Sequence, residues 1–181
     1  MERGLQALHA AFLALTALVL VSGVYLVFFF RPVEADAWDD IFALQDGIRF
    51  GQVVQQVHQW GTVLWLVILV PLAITEAVRR SAKSAIMFVS ALLLGVAVIA
   101  AGLYLPWDQI ALGSITVGTD ITGFRPVFDD DVLFVLIDGT EISATTIRRA
   151  FVLHVVGGTI AIVLAVATTT AALRSKRSNQ T

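Results

Sequence analysis

Three histidines, His9, His58 and His154, are the only good soft-metal ligands in a chain that has no cysteine. The missing thiols exclude disulfide frameworks, thiolate zinc sites, iron–sulfur clusters and thioether-linked haem together. His58 falls about seven residues into one long apolar run and His154 about nine into another, counted from ends that face the same side. As helices these runs place both imidazoles at similar depth, roughly 10 Å and 13 Å below that surface. Ionisable side chains inside a bilayer are costly and mark functional sites by default. Two readings fit the spacing. Each histidine is a hydrogen-bonded interior residue, or the two face each other as axial ligands of a bis-histidine haem, which takes one neutral imidazole from each side of a flat macrocycle. Zinc fits poorly, because two histidines leave a tetrahedral ion short of ligands and no nearby intramembrane carboxylate completes the set.

The elements that position these histidines are four apolar runs, at about 5–30, 53–78, 85–105 and 150–173. Each reaches the roughly 20 residues a helix needs to cross a bilayer. The first is too long in its apolar core, and lacks the small-residue cleavage site, to be a signal peptide. No ten-residue alternation suggests barrel strands. The chain is 57% apolar and 14% charged, whereas a soluble domain is about a quarter charged. The expected fold is an all-α membrane protein, one domain over 1–181 built as a four-transmembrane-helix bundle.

Charge sorts the loops. Arg3, Arg79, Arg80, Lys83, Arg174, Lys176 and Arg177 lie before the first run, between the second and third, and after the fourth, with only Glu2 and Glu76 as acids. The two other loops hold the remaining acids, including Asp39-Asp40 and Asp129-Asp130-Asp131. The positive-inside rule puts both termini in the cytoplasm and both acidic loops outside. The longer loop, between the third and fourth runs, contains an apolar stretch at 132–137 too short to span, expected at the membrane surface or under another subunit. A net charge of -2 recommends no nucleic acid partner.

Glycines near the histidine layer offer flat helix walls. Gly23 sits about seven residues from the outer end of the first run, Gly102 closes the third, and Gly61, Gly157 and Gly158 flank the histidines. For Gly157-Gly158 ordinary small-residue packing is the simpler reading. Trp60, Trp65 and Phe151 are aromatics that either line a porphyrin or face lipid.

In order along the chain, Gly23-Val-Tyr-Leu-Val-Phe-Phe-Phe-Arg31-Pro32, Phe50-Gly51 with His58-Gln59-Trp60, Gly102-Leu-Tyr-Leu-Pro106-Trp107-Asp108-Gln109 and Thr146-Ile-Arg-Arg149-Ala-Phe-Val-Leu-His154 resemble the N-terminal four-helix, haem-binding half of the cytochrome b family, in its short plastid-type form. Leu-Pro-Trp-Asp-Gln in this setting is the most specific of these elements. The resemblance implies that His58 and His154 ligate an outer haem b, that its ring passes Gly23 and Gly102, and that Arg149 lies near its edge or propionates. It also implies that the long loop contributes to a quinol-oxidising pocket on the outer face. Asp108 and Glu141 are available there as proton acceptors, but solvated loop carboxylates are the simpler reading.

The departures are equally specific. The family's second haem uses a histidine fourteen residues beyond each outer ligand, or fifteen in the plastid-type fourth helix. Those positions here are Leu72 and Thr168 or Thr169. The matching inner glycines are replaced by His9 and Phe88. The resemblance therefore implies one haem, with the inner space filled. His9 then occupies a wall position with no partner, as polar packing or an interfacial residue. Gln59 replaces the family's usual arginine after the first ligand, and Pro71 is expected to kink the second helix beside the vacated inner site. The family's C-terminal half, with its Pro-Glu-Trp-Tyr element, is absent, so a complete quinol pocket calls for another subunit.

With one haem near the outer face, the remaining hydrocarbon is on the order of 15–20 Å deep, and a transmembrane relay has no second station. The expected role is an electron-transfer subunit in a prokaryotic plasma membrane. It would link membrane quinol to an outward-facing Rieske protein, c-type cytochrome, copper protein or iron–sulfur/molybdenum subunit. A structural membrane anchor of a redox assembly and one half of a split quinol-oxidising cytochrome b are the alternatives. A homodimer follows only by analogy with the family.

Overall fold

A computed structural model describes residues 2–79, 82–120 and 142–178. They form α1 (Glu2–Val27), α2 (Ala37–Asp46), α3 (Gly51–Arg79), α4 (Ala82–Tyr104), α5 (Gln109–Asp120), α6 (Ala144–Val152), a π-helical turn (Leu153–Gly157) and α7 (Gly158–Ser178), with no strand among the described residues. The apolar stretch at 132–137, the Asp129–Asp131 run and Glu141 lie outside the described residues.

Four segments are long and apolar enough to span a membrane: Gly4–Val27, Gly51–Val78, Ala85–Tyr104 and Ala144–Arg174. Only 22–28% of each apolar window is buried inside the bundle. Leu18, Val21, Val67, Ile74, Leu93, Ile160 and Val163 face outward. Helices this apolar all round belong in lipid, so the chain is a multi-pass integral membrane protein. α1 packs on α3, α3 on α4, α4 on α7, and α7 back on α1. Successive spans run antiparallel, which brings the chain termini to one end and the α1–α3 and α4–α6 connections to the other, the loop end. Exposed Phe28, Trp38, Phe42, Phe50 and Trp60 gather near the loop end, as an aromatic belt at a membrane interface does.

Close helix approach depends on small residues and on intramembrane hydrogen bonds. A Cβ at Gly95 would lie 2.9 Å from the Trp65 ring, and one at Gly61 would lie 3.1 Å from Val19. Trp65 is buried and stacks on Phe12 with ring centroids 5.4 Å apart. Its indole Nε1 donates to Thr16 Oγ1 at 2.9 Å, while Thr16 donates to the Phe12 carbonyl. Without water, such a donor must be satisfied by protein. α3 runs unbroken through Pro71, whose ring faces outward and whose carbonyl accepts from Thr75.

At the loop end, Arg31 clamps α2 onto the exit of α1. Its guanidinium donates to Asp40 through Nη2 at 2.6 Å and Nε at 3.1–3.2 Å, its backbone N–H donates to Asp40 at 2.8 Å, and Nη1 lies 3.2 Å from Asp36. The hydrogen bond from Arg31 holds the Asp40 carboxyl below the usual carboxylate range, and Asp40 in turn raises Arg31. Gly51 is required where α2 meets α3, since a Cβ there would collide with the Leu44 carbonyl.

The Leu105–Gln109 segment turns the chain sharply. Trp107 takes a left-handed φ of 53°, which costs about 1–3 kcal/mol in a non-glycine residue unless its surroundings fix it. They do so here, because Trp107 is buried in a cluster with Ala37, Ile115 and Ile147 that ties α2, α5 and α6 together. Asp108 then starts α5 by accepting from the Ala111 N–H at 2.7 Å, an N-terminal cap.

Candidate functional site

His58 sits two turns into α3, and His154 lies in the π-helical turn between α6 and α7. The fold brings the two imidazoles together across the bundle, with ring centroids 5.9 Å apart and planes at 74°. Both are held by one arrangement used twice. His58 Nδ1 lies 3.1 Å from the Val19 carbonyl of α1 and 3.2 Å from Ser22 Oγ. His154 Nδ1 lies 2.8 Å from the Val98 carbonyl of α4. A carbonyl only accepts, so each Nδ1 carries the proton and each Nε2 keeps its lone pair. That is the tautomer of a metal-ligating histidine with its second nitrogen anchored.

The glycines explain how the rings get that close. Val19 is four residues before Gly23, and Val98 is four before Gly102, so carbonyl and glycine are stacked on one helix face. A Cβ at Gly23 would lie 2.9 Å from His58 Cε1, and one at Gly102 would lie 2.6 Å from His154 Cε1 and 2.7 Å from its Nδ1. The two glycines thus adjoin the imidazoles themselves. Arg149 is half-buried on α6, five residues before His154. Phe151 stacks on Phe30 at 5.8 Å, Trp60 points outward, and Trp65 belongs to the core further down.

Beside His58 toward the loop end, a cavity of about 240 Å³ is lined by Trp38, Ile41, Phe42 and Gln45 of α2, Gln55 and Gln59 of α3, and Pro106 and Asp108. Gln55 and Gln59 lie three residues before His58 and one after it. No group of three or more histidine, cysteine or acidic side chains suited to a metal ion occurs among the described residues.

The other half of the bundle is packed solid. Leu72, Phe88 and Thr169 are fully buried and Thr168 nearly so. Leu72 and Phe88 lie in one cluster with Phe12, Leu69 and Ala73. The π-helical turn takes up one extra residue, so the fifteen positions from His154 to Thr169 advance as far as the fourteen from His58 to Leu72. His9 is also fully buried, and here the sequence expectation needs correction. His9 has a partner: its Nε2 lies 3.7 Å from Glu76 Oε1, and Glu76, counted above with the acids of the terminal side, is itself 1% exposed.

The family model described as Cytochrome b/b6/petB matches residues 5–175. The chain belongs to the cytochrome b family. The cytochrome b subunit of menaquinol:cytochrome c reductase from Bacillus subtilis (strain 168) is 29% identical over 150 residues, covering 77% of this chain and 65% of the relative. The cytochrome b subunit of the cytochrome bc complex of Chlorobaculum thiosulfatiphilum is 29% identical over 155 residues, covering 81% of this chain and 36% of the relative. This cytochrome b chain therefore spans less than two thirds of the length of the curated relatives it matches. A hyperthermophilic respiratory Complex III chain shares the fold, with a TM-score of 0.79 at 21% identity over 94% of this chain and 47% of that one.

Within this cytochrome b fold, sequence reasoning found both histidines and both glycines but missed Ser22 and the carbonyls of Val19 and Val98. The signal was present, since each carbonyl stands four residues before a glycine already singled out.

Proposed function

We propose that this chain is a b-type cytochrome subunit of a membrane redox complex in a prokaryotic plasma membrane. It holds one haem b between His58 and His154 and passes electrons between quinol and a redox partner at the loop end. Members of the cytochrome b family bind haem b. The observation that carries the reading is the pair of imidazoles with anchored Nδ1–H groups, 5.9 Å apart. Two imidazole nitrogens each about 2 Å from a shared ion put their ring centroids about 6 Å apart.

When bound, the haem supplies one-electron chemistry. The residues set its conditions. The carbonyls of Val19 and Val98 pull on the Nδ1 protons and so raise the basicity of each Nε2. Gly23 and Gly102 let the imidazoles reach those carbonyls. Apolar walls on the terminal side leave the loop-end cavity as the wet approach, where the amides of Gln55 and Gln59 are donors suited to carboxylates. They take the place of the guanidinium the family resemblance led us to expect at Gln59. Arg149, half-buried on α6, adds positive charge near the ligand it precedes.

The filled terminal half argues against a second haem station, so electrons enter and leave at the loop end. Quinol oxidation then proceeds with partner subunits such as a Rieske protein, c-type cytochrome, copper protein or iron–sulfur/molybdenum subunit. The test is a reduced-minus-oxidised spectrum of protein purified with its complex, with quinol as reductant. The expected b-type signal disappears in His58→Ala and in His154→Ala, while a signal that survives both substitutions contradicts the assignment.

A further inference from the structure

The anchors of the two imidazoles repeat one sequence pattern with one difference. Val19-Leu-Val-Ser22-Gly23 on α1 and Val98-Ile-Ala-Ala101-Gly102 on α4 each place the accepting carbonyl four residues before the glycine. The residue just before the glycine is Ser22 in the first and Ala101 in the second, both buried. Ser22 Oγ donates to the Val19 carbonyl at 3.0 Å, a bond to the preceding turn that serine makes readily in helices. A hydroxyl has one proton, so toward His58 Nδ1, 3.2 Å away, the same oxygen accepts. The Nδ1–H of His58 is thus divided between Ser22 and a Val19 carbonyl that already holds a second side-chain donor. Among the described residues His154 Nδ1 has one acceptor, the Val98 carbonyl. The distances follow this difference, 3.1 Å from His58 to Val19 against 2.8 Å from His154 to Val98. The rings are seated unequally as well. From a Cβ placed on the adjoining glycine, Nδ1 lies 3.4 Å away at Gly23 and 2.7 Å away at Gly102. His58 stands off α1, and His154 lies tight against α4.

We propose that Ser22 is a positioning residue that makes the two axial ligands unequal: it loosens the hold on His58 and keeps the redox potential of the site above the value that two tight anchors would set. The inference rests on the reading of His58 and His154 as haem ligands. An acceptor on Nδ1–H pushes electron density through the ring onto Nε2, and a more basic Nε2 favours ferric over ferrous iron. A short, straight contact to one carbonyl does this best. A proton divided between two acceptors approaches neither in line, and the Ser22 hydroxyl draws density out of the carbonyl it shares with His58. His58 is therefore the weaker donor and His154 the stronger. No proton leaves Nδ1 in either oxidation state, and the whole difference between the anchors is one hydroxyl. Ser22 is 5% exposed, so bulk water has no access to take over its hydrogen bonds.

Redox titration of the b-type signal tests this in the full chain purified with its complex, for wild type, Ser22→Ala, Ser22→Thr and Ala101→Ser. Ser22→Ala gives α1 the pattern of α4, so His58 closes on Val19 and the midpoint moves negative. At the wild-type midpoint the ferrous-to-ferric ratio then falls by up to about tenfold, the range of one altered hydrogen bond. Ala101→Ser gives α4 the pattern of α1 and raises the ratio. Ser22→Thr keeps the hydroxyl and with it the wild-type midpoint. A packing role for Ser22 would lower haem retention without driving the two midpoints apart. Midpoints of Ser22→Ala and Ala101→Ser that stay at the wild-type value, or that shift the same way, would overturn the proposal. Should Ser22→Ala fail to fold, Ala101→Ser decides, since its positive shift is expected on its own and its absence is equally fatal. Failure of the haem reading shows differently, as a b-type signal that survives His58→Ala, and the proposal falls with it. A signal lost in His58→Ala together with unmoved midpoints removes the role of Ser22 alone.

Discussion

Gly102→Ala tests the geometry of the haem site with the smallest available perturbation, one methyl group. The new Cβ would stand 2.6 Å from His154 Cε1 and 2.7 Å from Nδ1, about 1 Å inside the favourable carbon contact range of about 3.5–4.0 Å. A ring locked to the Val98 carbonyl at 2.8 Å has two ways out. It can accept the overlap, at about 1–3 kcal/mol for overpacking, or it can swing away and forfeit a hydrogen bond worth about 0.5–1.5 kcal/mol. Some of both gives about 2–4 kcal/mol, which lowers haem affinity by about 30- to 1,000-fold. Gly23→Ala is milder, since its Cβ meets only His58 Cε1 inside 3.0 Å, and about 1–2 kcal/mol is expected. Gly113→Ala on α5 meets nothing within 4 Å and serves as the neutral control. The assay is haem retained per chain after detergent extraction, read from the reduced-minus-oxidised spectrum. Full haem occupancy with an unchanged potential in Gly102→Ala would refute the claim that this glycine sets the ligand position.

Three further outcomes follow from the fold. Asp40→Asn should loosen α2 by about 1 kcal/mol, a value discounted for the exposure of Arg31, measured as faster hydrogen exchange at residues 37–46. Because the hydrogen bond from Arg31 favours the ionised form of Asp40 in the folded state, its contribution is present above the unfolded carboxyl value of about 3.9. It fades as pH falls through the folded value, so wild type and variant converge in acid. Thr16→Val removes the acceptor of the buried Trp65 N–H and should cost about 0.6–1.7 kcal/mol in membrane stability. Leu72→His with Thr169→His restores two histidines at the inner layer, yet pyridine haemochrome analysis should still count one haem, because buried His9 and Phe88 occupy the space of the ring.

The four spans and both histidines were legible because apolar length and intramembrane imidazoles are strong, local signals. What escaped was short or depended on partners far away in sequence. α2 escaped because Asp39-Asp40 reads as a solvated run, whereas Asp40 is 10% exposed and bonded to Arg31. The last span was expected from Ala150, but the helix begins at Ala144 behind a capping box between Ser143 and Thr146. Threonine stands there in place of the usual Glu or Gln, which hides the signature. The first helix ends at Val27 rather than Phe30, since its terminal phenylalanines serve the interfacial belt and the α6 contact. The π-helical turn at His154 has no sequence mark of its own. The His9–Glu76 contact needs the antiparallel register of α1 and α3 before 67 positions of separation become a side-chain pair.

The central claim is a single haem clamped by two histidines at the loop end above a closed, cofactor-free half. Iron and protoporphyrin quantified against protein in the purified complex test it most directly, after subtraction of haem carried by partner subunits. One haem b per copy of this chain is the predicted result. Two per copy, or none with the complex intact, would contradict it.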